Sequence, residues 1–366
     1  MGNSVLSRAP DGVAVRTFYS SDAWIEGRAE DQLLDVARLD GVRAVAGFPD
    51  LHPGKYGPVG AAVLSETLHP QLAGSDIGCG IAVYALDLAA RRIKPEKAAT
   101  RLRALGAWND TNRNDRLAEV GLPETLSPGL GTIGGGNHFC ELQVVSDVGD
   151  SGLDESCAYL MVHSGSRGLG HAVLSKALSD GLPVLCGKDA DAYLALHDQA
   201  VTWARLNRRI IAERAAAALR TDLTLITDVA HNLITLEADG WLHRKGAAAH
   251  APLIPLAGTR ASESFLIKPG KAEALRSTAH GAGRRYDRNS MHGRVSKQKS
   301  SLSALRRTEI GSRVICDDKA MLIEEAPMAY KSAASVLADM DVFDVAHHAA
   351  TLKPIVTFKH AKERAS

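Results

Sequence analysis

The sequence predicts a mixed helix-and-strand fold, one compact domain over residues 1–366. Three observations predict it. Short apolar runs suited to strands recur from Val42 to Phe358, and one long amphipathic pattern near the middle suits a helix. The loops between them pair glycine with histidine, aspartate or cysteine along nearly the whole chain. No internal repeat, heptad pattern or compositional break marks a linker.

Composition narrows the function. Hydrophobic residues at 45% and charged residues at 23% suit a globular chain with a substantial core. No apolar run is long enough to span a bilayer, and Met1 to Asp22 lacks the apolar core of a secretory signal. The five cysteines are odd in number and dispersed, so no disulfide framework is expected and a reducing cytoplasm is. With 43 Lys plus Arg against 42 Asp plus Glu, there is no global positive field, and any polyanion site must be local. Aromatic residues at 5% argue against an extended base-stacking platform.

In chain order, Ser20 to Asp40 reads as a helix capped by Ser20 or Ser21, with Leu33, Leu34, Val36 and Ala37 on its apolar side. A strand from Val42 to Ala46 runs into a Pro/Gly loop holding Asp50, His52 and Lys55, and a second strand covers Gly57 to Leu64. Gly74-Ser75-Asp76-Ile77-Gly78-Cys79-Gly80 follows, a turn that sets a carboxylate and a thiol three positions apart before the apolar strand of Ile81 to Leu86. By itself this turn reads first as a tight bend with a buried cysteine and only second as a pair of metal ligands. Lys94 to Leu105 is a short helix, and residues 108–130 form a long surface loop. That loop ends in Gly134-Gly135-Gly136-Asn137-His138, whose backbone N–H groups suit a phosphate.

Ala158 to Val162 is a strand ending at His163-Ser164-Gly165-Ser166-Arg167. The long helix covers about Asp189 to Arg220. Its Arg205, Arg208, Arg209 and Arg214 are expected on a solvated face first and an RNA-facing one second, and His197 is expected to be structural. A strand from Leu223 to Thr227 leads to His231-Asn232, read as a strand-to-helix junction. A further strand precedes His280 in Thr278-Ala279-His280-Gly281. Residues 284–307 carry eight Lys/Arg against one acid, Asp287, the clearest polyanion footprint in the chain, or else a flexible basic loop. Lys331 to Met340 is helical and Pro354 to Phe358 a strand.

His52, His138, His163, His231 and His280 are the histidines that fall at strand ends or in glycine-rich loops. With Asp76 and Cys79 they exceed one metal's four to six ligands. Either two ions bind, or one histidine does something else. A histidine beside a phosphate loop and a basic segment suits a nucleophile that forms a phosphoramidate. The residues alone therefore point to metal-assisted phosphoryl or nucleotidyl transfer on a polyanion.

The motifs Pro49-Asp50-Leu51-His52-Pro53-Gly54-Lys55, Asp76-Ile77-Gly78-Cys79-Gly80, Gly134-Gly135-Gly136-Asn137-His138-Phe139, His163-Ser164-Gly165-Ser166-Arg167, Asp228-Val229-Ala230-His231-Asn232, His280-Gly281-Ala282-Gly283-Arg284 and Ala329-Tyr330-Lys331 resemble, in order, those of the RtcB family. These are GTP- and manganese-dependent RNA ligases of tRNA splicing and RNA repair. The resemblance implies an α+β fold, a β-sheet core flanked by helices, with the active site built from strand-end loops. It implies two Mn²⁺ ions held by Asp76, Cys79, His138, His163 and His231, with Cys79 bridging, and His280 as the residue that takes GMP from GTP. It implies Asn137 on phosphate, Glu141 and Lys359 on guanine, and Tyr330 and Ser264 as further nucleotide contacts. His138, His231, Asn232, Thr259, Gly281, Ala282 and Gly283 would border the same nucleotide. Arg167 and Arg284 would hold RNA termini or phosphates.

The implied substrates are RNA with a 2′,3′-cyclic phosphate or 3′-phosphate and RNA with a 5′-hydroxyl. The chain departs from the family at Leu256-Ala257-Gly258-Thr259-Arg260-Ala261-Ser262, where Pro-Gly-Ser-Met-Gly-Thr is usual, and it is short. Both departures are similar to a bacterial subgroup associated with a release-factor-like protein and with repair of damaged RNA. Two other readings compete: a metal-dependent cyclic phosphodiesterase that opens RNA ends without ligation, and an RNA-binding repair factor with a degenerate centre.

Overall fold

The computed structural model describes residues 5–8, 12–107, 112–179, 181 and 184–361. Two large sheets dominate it. One has strand order Val5–Arg8, Ala14–Thr17, Val42–His52, Val59–Ser65, Gly240–Lys245 and Asn232–Glu237. The other runs Ile254–Leu256, Ser264–Pro269, Ala346–His360, Phe139–Asp147, Cys157–Ser164, Gly80–Ala89 and Leu223–Ala230, with Arg313–Cys316 added parallel to Ala346–His360. A short ribbon pairs Ala247–Ala249 with Ser277–Ala279. Helices and sheets are segregated rather than alternating, so the class is α+β.

The larger sheet is central because its strands are apolar on both faces. Ile81, Val83, Leu160, Val162 and Leu142 are all buried. The helix Gly187–Leu219 covers one face, packing Ile211, Ala212, Ala215 and Leu219 onto Ala82, Leu142, Leu160 and Phe358. It ends at Arg220 in the left-handed conformation, a common helix stop. The strand Ala346–His360 absorbs Pro354 at a register shift, where the missing N–H does least harm.

Several expectations need correction. The first helix is Gly27–Ala37 with Glu26 as its cap, so neither Ser20 nor Ser21 caps it. Residues 108–111 of the expected 108–130 loop lie outside the described residues. The remainder contains the helix Arg113–Ala118, and it buries Leu117, Leu122 and Leu130 against Trp203 and Leu206. The basic side of the long helix is not uniformly solvated. Arg208 is fully buried, Arg214 donates to the carbonyls of Gly131, Ala104 and Leu105, and Arg209 pairs with Glu119. His231 sits between two strands, not between a strand and a helix. The basic segment from 284 contains the helices Arg288–Arg294 and Lys299–Ala304. His197 is structural as expected: it is buried, and its Nε2 accepts the Ile234 N–H at 3.0 Å.

Candidate active site

Strand register brings the distant motifs together. Gly80 pairs with Ser164 on one side and with Ala230 on the other, and Phe139 pairs with His163. Cys79, His138, His163 and His231 are therefore in or next to residues at one end of three adjoining strand pairs. The His231 N–H donates to the Cys79 carbonyl at 2.8 Å. Asp76 reaches the same point because Gly165 leaves it room: a Cβ there would lie 2.2 Å from Asp76 Oδ1.

The donor atoms converge. Cys79 Sγ is 3.3 Å from both His138 Nε2 and His163 Nε2, and His163 Nε2 is 3.3 Å from His231 Nε2. Asp76 Oδ2 is 2.8 Å from His138 Nε2, while its Oδ1 is buried without a hydrogen-bond partner. Ligands ~2.1 Å from a tetrahedral ion stand roughly 3.4 Å apart, close to these spacings. A thiol, imidazoles and a carboxylate form a mixed set suited to a divalent transition ion. Burial pushes the Cys79 thiol well up, with Asp76 adding to it. Burial likewise holds His163 and His231 well below the ordinary imidazole range, helped by neighbouring histidines. A cation among them supplies the charge that a thiolate needs.

Behind this cluster lies a guanidinium. Arg208 donates from Nη1 to the carbonyls of Gly78 and Ser164, each at 2.8 Å, and from Nε to Asp228 at 2.8 Å. Its two carbonyl contacts belong to the residues beside Cys79 and His163. One buried cation thus sets the spacing of two ligand strands, and its charge favours the Cys79 thiolate. Asn207, one position earlier, ties the Gly131 N–H and the Ser164 hydroxyl.

His280 approaches from the other side. Its ring centroid is 4.3 Å from that of His231, and its Nδ1 is 2.7 Å from the Gly246 carbonyl and 2.8 Å from Asp50 Oδ2. Two acceptors at Nδ1 fix the proton there and leave the Nε2 lone pair free. Asp50 is fully buried and also accepts the His280 N–H at 3.2 Å. Lys331 holds the Asp50 backbone by donating to the carbonyls of Pro49 and Leu51 at 2.9 and 2.7 Å. Gly283, at φ +69°, is obligatory: a Cβ would lie 2.3 Å from the Asp50 carbonyl.

A cavity of about 910 Å³ opens beside these histidines, lined by His163 and His280 together with Asn137, Glu141, Thr259 and Lys359. Burial raises the Glu141 carboxyl to about 7 despite bonds from Thr357 and Gln143. Burial lowers Lys359 to about 8. Glu325 is the opposite case. Burial acts against its charge, but Lys359, Arg284, Tyr330 and Arg288 hold it down at about 2.

The structure sorts the remaining expected residues. Gly281, Ala282, Gly283, Tyr330 and Arg284 line the cavity. Ser264 and Asn232 act from behind. Ser264 Oγ accepts the Gly258 N–H at 3.0 Å, and Asn232 links the Asp76 carbonyl to the Gly246 N–H. Arg284 donates to Glu325, the Tyr330 hydroxyl, and the carbonyls of Tyr286 and Glu324, so it braces the wall. Arg167 Nη1 lies 3.1 Å from His138 Nδ1, on a backbone at φ 60°, ψ −136° that few non-glycine residues adopt. Sequence reasoning missed Asp50, Arg208 and Glu325 as parts of the site. Asp50 stood in a singled-out loop, whereas Arg208 was hidden in an ordinary helical charge pattern.

The model of the family described as "tRNA-splicing ligase RtcB" matches residues 32–108, 106–181 and 182–360. RNA-splicing ligase RtcB2 of Escherichia coli strain ATCC 25922 is 40% identical over 370 residues, covering 95% of this chain and 96% of that protein. RNA-splicing ligase RtcB of E. coli K12 and RtcB1 of strain ATCC 25922 are each 28% identical over 408 residues, covering 92% of this chain and 95% of each relative.

Proposed function

This chain is a member of the RtcB family, and on that premise we propose that it is an RNA ligase working as one unit over residues 1–366. It joins RNA ending in a 2′,3′-cyclic phosphate or 3′-phosphate to RNA with a 5′-hydroxyl, using GTP and two Mn²⁺ ions. One observation carries the reading. His280 presents an Nε2 whose partner nitrogen is pinned by Asp50 and Gly246, beside the Cys/His/Asp cluster and in the same cavity as Glu141 and Lys359.

Asp76, Cys79, His138, His163 and His231 would hold the metal, and the 3.3 Å spacings and partnerless Asp76 oxygen fit that assignment. When bound, the ions supply Lewis-acid neutralisation of phosphate charge. His280 Nε2 attacks the α-phosphorus of GTP. An N–P bond forms, the bond to the bridging oxygen breaks, and pyrophosphate leaves. The positive charge developing on the ring is met at Nδ1–H by Asp50. A cyclic end is opened by water to a 3′-phosphate, an oxygen of which then takes GMP from His280. The 5′-hydroxyl attacks that activated phosphorus, and GMP departs. Glu141, when ionised, accepts guanine N–H groups, Lys359 lies beside it, and Asn137 meets the phosphates. Arg167 and the basic rim around Arg284 hold the RNA.

The altered 256–262 loop supports the subgroup linked to a release-factor-like protein, with repair of damaged RNA in the cytoplasm as its setting. Among the described residues no helix is long and apolar enough to cross a membrane. The test is to incubate RNA carrying a cyclic phosphate and a 5′-hydroxyl with the protein, GTP and Mn²⁺. A sealed product that requires GTP supports the ligase. Opened but unsealed ends favour the phosphodiesterase instead, and unaltered RNA that stays bound favours the binding factor.

A further inference from the structure

The mouth of the cavity carries a feature that neither the metal cluster nor the nucleotide residues use. Trp24 lies before the first residue matched by the family model, yet it lines the same cavity as His280. It is 38% exposed, whereas Trp203 is buried and Trp241 half-buried. Its ring meets that of Tyr286 at 6.5 Å and 60°. Cations gather on the pair: Arg285 is 5.7 Å from the Trp24 ring and 5.4 Å from the Tyr286 ring, and Arg294 is 3.9 Å from Tyr286. The cavity as a whole is lined by eight lysines and arginines against four acids. Arg28, Arg285, Arg288 and Arg294 are exposed there.

The indole meets Tyr286 at its ring and has the Lys331 ammonium 5.8 Å away, yet it remains exposed at the mouth of a polar cavity. Its face offers a stack for a base, and the surrounding guanidiniums offer contacts for the phosphates on either side. Single-stranded nucleic acid is bound by this combination, whereas duplex ends keep their bases stacked on each other. The low aromatic content excludes an extended platform but not one ring placed where the strand enters.

We infer that Trp24, with Tyr286 against its edge, is a stacking subsite for one unpaired base of the RNA, close to the end that is sealed. Arg285 and Arg294 hold the neighbouring phosphates. The inference rests on the ligase reading but is separable from it, because loading of His280 with GMP needs no RNA.

The experiment compares wild type, Trp24→Ala and Trp24→Phe in three measurements: GMP loading from labelled GTP, binding of a fluorescent single-stranded RNA, and the KM for RNA in sealing. The expected result is unchanged loading in all three proteins. Trp24→Ala should bind RNA about tenfold or more weakly, with KM raised in step, and Trp24→Phe should keep most of the affinity. An abasic site scanned through the three nucleotides nearest each end should, at one position, bring wild type down to the Ala variant and leave that variant unaffected. Unchanged RNA affinity in Trp24→Ala, an equal loss on blunt duplex, or lost GMP loading would overturn the subsite. Trp24-dependent binding without sealing by wild type would leave the subsite standing and overturn the ligase reading.

Discussion

The two sides of the candidate site are built on opposite principles. At the proposed metal end, Cys79, His138, His163 and His231 are buried in or beside the ends of adjoining strands, and register fixes their spacing. At the proposed nucleotide end, Lys359 and Arg284 offset the charge of Glu325, and Glu141 stands near Lys359 under bonds from Thr357 and Gln143. The first side gathers donors whose charge a bound cation would balance, whereas on the second the charged groups offset one another. Spacing at the proposed metal end therefore rests on backbone geometry, whereas charge at the proposed nucleotide end should respond to pH.

The largest expected effect comes from removing the shared thiol. Cys79→Ala should abolish both GMP loading and sealing, beyond the ~10–100-fold typical of outer contacts, while circular dichroism stays native. Retained loading would make the cysteine structural only. Asp50→Asn comes next. It keeps the side-chain shape but removes the charge that meets the His280 ring, so loading should slow by about a hundredfold or more with metal content unchanged. A loss of metal would show that Asp50 belongs to the other end.

Arg208→Met tests whether backbone spacing governs the metal end. All ligands remain, yet metal affinity should fall about 10–100-fold, with partial rescue by Arg208→Lys. Asp228 is then left with an uncompensated charge, which should cost about 3–5 kcal/mol of stability as read from denaturant unfolding. Unchanged affinity would mean that register alone suffices.

The smallest effect is the pH response of the nucleotide end. Burial raises Glu141 to about 7, so its ionised form is lost as pH falls through 7, and GTP affinity should fall with it by up to about tenfold per unit. Burial lowers Lys359 to about 8, so its charge is lost above that pH and affinity should fall again. Glu141→Gln should remove the acid limb of the profile and leave the alkaline one. A flat profile between pH 6 and 9 would contradict this account of the pair.

The metal end was legible in the sequence because the ligand types are rare and strand ends are easy to recognise. Asp76, Cys79, His138 and His163 needed only a sheet to collect them, although no local pattern revealed the 3.3 Å convergence. Arg208 was not legible, since its partners Gly78, Ser164 and Asp228 are 130, 44 and 20 positions away. The same holds for Glu325, which becomes significant only when Lys359 and Arg284 surround it. The long helix, the strand-rich core and the structural role of His197 were readable from periodicity. The helix Arg113–Ala118 in the 108–130 stretch was not, because its one buried residue, Leu117, stands among polar neighbours.

His280 Nε2 is the atom proposed to become bonded to phosphorus. Incubating the protein with α-labelled GTP and Mn²⁺, without RNA, and then denaturing it in base tests this directly. The prediction is base-stable, acid-labile label on the wild type, mapped to His280 and absent from His280→Ala. Label still present in His280→Ala, or none on wild type that seals RNA, would contradict it.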